Sequence, residues 1–169
     1  MNKTNCVIVL LIFFLSSINA QNYRYINTIF SESVKTTDVV YGNAAFLNSP
    51  SMDESSTTNQ DLLMDIYQPL GDELSNRPAI VFAHGGAFLT GNKTADDMVA
   101  FCDSFARKGY VTISIDYRQG IDAVDKRDLH FARAAFRGLQ DGRTAIRYLR
   151  KNAATYGIDP DKIYWWGNS

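Results

Sequence analysis

One stretch near the middle of the chain limits its fold more than any other: residues 78–91, PAIVFAHGGAFLTG. It opens with a continuous apolar run, residues 79–83, which is typical of a strand covered on both faces in a parallel sheet. The run stops at His84, Gly85 and Gly86. This ending leaves bare backbone N–H groups at the carboxyl end of a strand, where open α/β sheets bind their ligands. The sequence therefore predicts an α/β fold with a site at this loop.

The order of the remaining elements supports the same fold class. Strand patterns at residues 38–46 and 62–67 precede the loop, and two more follow it at 111–115 and 163–166. The strand at 62–67 alternates in polarity, which favours a place near the sheet edge. Gly42 is a candidate bulge, and the polar residues 48–60 between the two opening strands indicate an exposed connection.

Two helical patterns separate the later strands. The first begins at Thr94 as N-cap and stops before Gly109. The second carries one apolar face from Phe131 through Leu139 to Ala153 and is closed by Gly157. Strands that alternate with helices predict a mainly parallel sheet flanked by helices.

The composition narrows the class of protein further. The chain has 169 residues, of which 46% are hydrophobic and 21% charged, as in a globular domain. We expect residues 21–169 to be the N-terminal part of a single α/β domain. The net charge of -1 gives no basic surplus to bind nucleic acid. No Cys or His pattern indicates a metal site. Cys102 is interpreted as a small core hydrophobe, with a disulfide to a partner beyond this sequence as the alternative.

Residues 1–20, MNKTNCVIVLLIFFLSSINA, have the pattern of a signal peptide. An early Lys3 precedes an apolar run from residue 7 to residue 15, and a small residue, Ala20, stands at the expected cleavage site. That run is shorter than the ~20 residues that a spanning helix needs. We therefore expect a secreted or periplasmic protein that is free of the membrane after cleavage. A membrane anchor or a buried N-terminal helix is the alternative.

The last residues, Gly167, Asn168 and Ser169, follow the aromatic strand directly. They form the first half of G-x-S-x-G, a tight strand-to-helix turn that holds a nucleophilic Ser exposed. Further matching segments lie along the chain: DIYQP at 65–69, HGGAF at 84–88, GYV at 109–111, DYR at 116–118, AIRYL at 145–149 with Asp141, and GIDP at 157–160. From about residue 38 onward, the chain resembles the N-terminal part of an α/β-hydrolase-fold esterase of the carboxylesterase and hormone-sensitive-lipase-like group.

This resemblance implies a role for each matching residue. Ser169 would attack a small-molecule carboxylic ester and form an acyl-enzyme, without a cofactor or metal. Gly85, Gly86 and Ala87 would form the oxyanion hole: Gly86 and Ala87 would each offer a backbone N–H, and Gly85 would shape the turn. A third donor would come from the residue after the Ser. Ala87 replaces the third glycine of many relatives, but it still offers a backbone N–H. His84 and Asp116 would support the loop.

The resemblance also implies what this sequence lacks. In this fold the acid and the catalytic His follow the Ser, whereas His84 and His130 both precede it. We therefore expect these 169 residues to be a piece of a longer enzyme and to be inactive alone. A serine peptidase of the same fold and a catalytically dead binding module stay open as alternatives. The sequence does not decide the ester substrate or the oligomeric state.

Overall fold

The computed structural model describes residues 23–48, 54–121 and 127–168 of the chain. The predicted signal peptide at residues 1–20 and the predicted nucleophile Ser169 both lie outside the described residues. The elements run in this order: β1 (Ser33–Leu47), β2 (Thr57–Pro69), β3 (Arg77–Ala83), α1 (Asp96–Ala106), β4 (Val111–Ile115), α2 (Arg127–Lys151), α3 (Ala153–Tyr156) and β5 (Ile158–Gly167).

The five strands form one sheet in the order β1-β2-β4-β3-β5. The expected parallel pairing holds where β3 lies between β4 and β5. The two opening strands add antiparallel pairing, β1 with β2 and β2 with β4, so that the sheet as a whole is mixed. The apolar run after residue 78 is thus an inner strand, and its carboxyl end lies beside the carboxyl ends of both parallel neighbours.

The opening hairpin is longer than the sequence pattern indicates. Pairing runs from Ser33 opposite Pro69 to Leu47 opposite Thr57, so part of the predicted polar connection belongs to β2. The register shifts between Val40 and Gly42, at the predicted bulge. The polar residues at the start of β2 can pair with β1 because β1 is an edge strand, and side chains at the sheet edge can face water. Strand β2 lies next to the edge strand, in agreement with the place predicted from its alternating polarity. The exposed face that this alternation implies was wrong, because Met64, Asp65, Ile66 and Tyr67 are all buried.

The two long helices cover opposite faces of the sheet. On α1, Met98, Cys102 and Ala106 are buried and pack with Phe82 of β3. On α2, the buried residues Ala145 and Leu149 belong to the larger core on the other face. None of the helices among the described residues is long and apolar enough to cross a membrane.

Strand β4 carries two hydroxyl side chains on the α1 face. Thr112 Oγ1 donates to the carbonyl oxygen of Cys102 at 2.8 Å, and Ser114 Oγ donates to that of Lys93 at 2.8 Å. Both side chains are fully buried, so these hydrogen bonds satisfy groups that water cannot reach. They fix α1 and the segment before it against the sheet.

Two predicted details of the helices were wrong. The N-cap of α1 is Ala95, without a side-chain cap, because the Thr94 hydroxyl donates instead to Asn92 Oδ1 at 2.7 Å. The apolar face predicted for α2 is buried only in its later half: Leu139 is 64% and Phe131 49% exposed. Among the described residues, Phe88 packs on Phe131 with ring centroids 5.5 Å apart, but no helix or strand covers Leu139.

Candidate active site

The loop after β3 contains a run of left-handed backbone. The φ angles are 117° at Gly86, 51° at Ala87 and 60° at Phe88. The N–H groups of Leu89 and Thr90 both donate to the carbonyl oxygen of Gly86, at 2.9 and 3.1 Å, and so close a tight turn. Only Gly adopts such angles freely, so the fold around the loop must hold Ala87 and Phe88 in place.

This turn leaves both predicted donors, Gly86 and Ala87, unused. Within the described ranges, the backbone N–H groups of Gly85, Gly86 and Ala87 make no hydrogen bond. Gly85 and Gly86 are half-buried and Ala87 is exposed, so a ligand can reach these N–H groups from solvent. Three neighbouring N–H groups without an acceptor can therefore receive an anionic or polarised oxygen from a ligand.

His84, at the start of this loop, is only 2% exposed and has contacts to its ring face, its carbonyl oxygen and both ring nitrogens. Its ring stacks on Tyr117 with centroids 4.4 Å apart, and the Tyr117 hydroxyl donates to the carbonyl oxygen of His84 at 2.8 Å. Its Nδ1 lies 2.8 Å from the carbonyl oxygen of Gly85, and its Nε2 lies 3.3 Å from Gln119 Nε2. The same Gln119 nitrogen donates to the carbonyl oxygen of Gly91 at 2.8 Å.

These contacts determine which ring nitrogen of His84 carries the proton. An amide NH2 group only donates, so the Nε2 of His84 accepts and its Nδ1 donates to the carbonyl oxygen of Gly85. Both ring nitrogens then have partners, one in the loop at Gly85 and one after β4 at Gln119. The arrangement agrees with the predicted role of His84 as a loop support, which stays a prediction.

Asp116, the second predicted loop support, follows β4 directly. Its Oδ1 accepts the backbone N–H of Lys93 at 2.7 Å, and its own N–H donates to the carbonyl oxygen of Leu63 at 2.9 Å. Burial raises the pKa of the Asp116 carboxyl, although the Lys93 N–H and the Lys93 charge oppose this shift. The carboxyl therefore contacts the far end of the loop segment rather than the free N–H groups.

The carboxyl end of β5 lies beside the start of the loop after β3. Gly167 pairs with Ala83, and the N–H of Asn168 donates to the carbonyl oxygen of Ala83 at 3.1 Å. Ser169 is the next residue in the chain. A cavity of about 310 Å³ lies beneath this junction, lined by Ala83, His84, Phe88, Tyr117, Ala135, Gly138, Leu139, Trp165, Gly167 and Asn168. His130, on the first turns of α2, is not among the residues that line it.

Sequence reasoning assigned no role to three polar side chains that the structure places around this loop: Lys93, Gln119 and Arg118. Arg118 binds the carboxylate of Asp141 through Nε at 3.0 Å and Nη2 at 2.7 Å, which ties the segment after β4 to α2. A usable signal was present in the charged Asp65, which interrupts the apolar pattern of β2 and must therefore find a buried partner. Within the described part of the chain, no group of His, Cys, Asp and Glu could hold a metal ion.

The order of strands, the helices on both faces and the loop at the end of β3 define the N-terminal part of an α/β-hydrolase fold. Within that class, the sequence profile of the BD-FAE family matches residues 64–169. The chain therefore belongs to the BD-FAE family.

Several of the proteins that this chain resembles in sequence are esterases. Gut esterase 1 of Caenorhabditis briggsae is 28% identical over 116 residues, which is 68% of this chain and 20% of that protein. Carboxylesterase 3B of Mus musculus is 34% identical over 113 residues, 64% of this chain and 18% of that protein. This chain thus spans about a fifth of the length of these relatives.

Solved structures agree with this assignment. A thermophilic esterase from the Planctomycetes species Thermogutta terrifontis superposes with a TM-score of 0.56 at 29% identity, covering 78% of this chain and 39% of that one. The chain therefore corresponds to part of the fold of that esterase.

Proposed function

We propose that this chain is the N-terminal part of a secreted serine hydrolase that cleaves small-molecule carboxylic esters. The observation that carries the proposal is the set of three unused N–H groups at Gly85, Gly86 and Ala87, beside the strand end that leads to Ser169. Similarity to esterases supports the same reaction class. The predicted signal peptide at residues 1–20 supports export.

In the proposed reaction, the hydroxyl oxygen of Ser169 bonds to the ester carbonyl carbon, and the carbonyl oxygen becomes an oxyanion. The N–H groups of Gly86 and Ala87 receive this oxyanion, while Gly85 shapes the turn. The alcohol then leaves with a proton, and water hydrolyses the acyl-enzyme. Removal of one such donor typically lowers kcat by about 10²–10³-fold, so the loop supplies a large part of the rate.

The base and the acid of the triad are proposed to follow Ser169 in the longer protein. The contacts of His84 support this, since one ring nitrogen is engaged by Gly85 and the other by Gln119. Residues 1–169 by themselves are then inactive, because a serine hydrolase without its base keeps only residual catalysis.

The test is hydrolysis of p-nitrophenyl acetate by the protein encoded by the whole reading frame. Ser169→Ala should lower kcat by several orders of magnitude, up to about 10⁶-fold. Ser104→Ala, at an exposed position of α1, is the matched control and should keep full activity. Hydrolysis that survives Ser169→Ala, or none by the unchanged protein, would refute the esterase.

Two further results would correct parts of the proposal. Cleavage of a peptidyl p-nitroanilide without ester hydrolysis would indicate the serine peptidase instead. Ester hydrolysis by residues 21–169 alone would contradict the proposal that this part of the protein is inactive by itself. Export is checked by sequencing the N-terminus of the secreted protein, which should begin at Gln21.

A further inference from the structure

A cluster of charged side chains lies beyond the end of the loop and takes no part in the proposed reaction. Lys93 and Asp65 are its buried members, and Asp38 is exposed. The centre of the cluster is Lys93, two residues beyond Gly91, with 6% of its surface exposed. The ammonium group contacts Asp65 Oδ1 at 2.7 Å and Asp38 Oδ1 at 2.8 Å. A Lys is seldom buried this fully without a specific reason, because its charge loses hydration.

The backbone of Lys93 is held as firmly as its side chain. Its N–H donates to Asp116 Oδ1 at 2.7 Å, and its carbonyl oxygen accepts from Ser114 Oγ at 2.8 Å. The partners Asp38 and Asp65 belong to the opening hairpin, whereas Ser114 and Asp116 belong to β4 or follow it directly. Lys93 therefore joins the exit of the loop to three strands of the sheet.

The charges in this cluster balance each other. Although burial alone would lower it, the hydrogen bonds to Asp38 and Asp65 hold the pKa of Lys93 above its ordinary value. Burial would likewise raise the pKa of Asp65, but the bonds from Lys93, from the Asp38 N–H and from Lys35 lower it. Lys35 Nζ lies 3.1 Å from Asp65 Oδ2. Buried ion pairs add little net stability, so a role in fixing position is the better account of this one.

The loop needs such fixing because its own residues disfavour its shape. Left-handed backbone costs roughly 1–2 kcal/mol for each non-glycine residue, and Ala87 and Phe88 both adopt it. The Tyr117 hydroxyl holds the entry of the loop at His84, and Gln119 binds the carbonyl oxygen of Gly91 at its exit. Lys93, two residues beyond Gly91, ties the segment that leaves the loop to the sheet, and a strained segment persists only when both of its ends are held.

We propose that Lys93 is a positioning residue, which keeps the loop of residues 84–91 in the shape that aims the N–H groups of Gly86 and Ala87 at the substrate oxygen. Its kinetic consequence rests on the esterase function proposed above. Its structural consequence does not, so the two can be tested separately.

The experiment compares Lys93→Met with Lys162→Met in the full-length protein. Lys162 also pairs with a carboxylate, Asp159, at 2.8 Å, but it lies on exposed surface near the start of β5. The first measurement is amide hydrogen exchange at Leu89 and Thr90, whose N–H groups close the turn. Exchange should become about tenfold faster in Lys93→Met and stay unchanged in Lys162→Met. Unchanged exchange in a folded Lys93→Met protein would overturn the proposal.

The second measurement is ester hydrolysis by the same proteins. Misplaced oxyanion donors should lower kcat by about 10²-fold in Lys93→Met, with KM changed less than about threefold. Equal losses in both variants would overturn the positioning role. If the unchanged protein hydrolyses no ester, the esterase proposal fails, while the exchange result still decides the role of Lys93.

Ser114→Ala keeps the proposal testable if Lys93→Met does not fold. This change removes only the hydroxyl that binds the carbonyl oxygen of Lys93 and leaves every charge of the cluster in place. Exchange at Leu89 and Thr90 should rise by a smaller factor, about threefold. No rise in the folded variant would count against Lys93 as the anchor.

Discussion

Replacing Gly86 by Ala tests whether the turn of the loop requires a glycine for reasons of space as well as of backbone angle. A Cβ added at Gly86 would lie 2.2 Å from the carbonyl oxygen of Thr90 and 2.7 Å from its carbonyl carbon. Both atoms belong to the backbone, so no side-chain rotation relieves the contact. The left-handed φ of 117° adds a second penalty. The loop must therefore change shape to accept Ala.

Gly71 offers a control in which only the backbone angle counts. Its φ is 75°, and a Cβ added there would meet nothing within 4 Å. Gly71→Ala should therefore lower the free energy of unfolding by about 1 kcal/mol. In Gly86→Ala, the bonds from Leu89 and Thr90 to the carbonyl oxygen of residue 86 are also lost, at about 1 kcal/mol each. The total expected loss is about 3 kcal/mol.

Urea unfolding of the two variants and the unchanged protein measures this difference. The free energy of unfolding should fall about 2 kcal/mol further in Gly86→Ala than in Gly71→Ala. Losses that agree within about 0.5 kcal/mol would refute the reasoning, because the contact with Thr90 would then break neither hydrogen bond of the turn.

Two other changes have expected outcomes. In Gly142→Ala, the new Cβ would lie 2.5 Å from the outer ring of Trp165, which is 43% exposed. Overpacking at the low end of about 1–3 kcal/mol should offset the helix-propensity gain of about 1 kcal/mol. Urea unfolding should therefore show no net stabilisation, and a gain of about 1 kcal/mol would contradict the close contact. Asp116→Asn tests the raised pKa of the Asp116 carboxyl. A raised pKa in the folded state means that this group favours folding below its unfolded pKa of about 3.9 and loses that contribution as the pH rises through the folded pKa. Asn keeps an acceptor for the Lys93 N–H and never ionises. The free energy of unfolding of the variant should therefore rise relative to that of the unchanged protein between pH 3 and pH 7. An equal difference between the two proteins at both pH values would contradict the raised pKa.

Local patterns were enough to predict the elements around the site. The apolar runs that became β3 and β4 are buried strands whose neighbours in sequence already indicate their ends. Gly109 and Gly157 were predicted at helix ends, and both adopt left-handed backbone, with φ of 106° and 61°. Such signals act within a few residues, so a single sequence contains them in full.

Contacts between distant segments could not be predicted in the same way. Lys93 and Asp65 are 28 residues apart, and their pairing depends on where the opening hairpin lies in the sheet. The apolar face of α2 shows the same limit. Periodicity predicted an apolar face through Leu139, yet burial also needs a second element to cover it, which the pattern does not contain.

The position of Cys102 has a consequence for oxidation. Its thiol is fully buried between α1 and the sheet, and burial raises its pKa to about 12. Oxidation and disulfide exchange need an accessible thiolate, so in the folded state this sulfur is protected even in an oxidising compartment. An oxidant reaches it only when α1 moves away from the sheet. The fraction of molecules that are oxidised at Cys102 therefore increases with the time that α1 spends detached from the sheet.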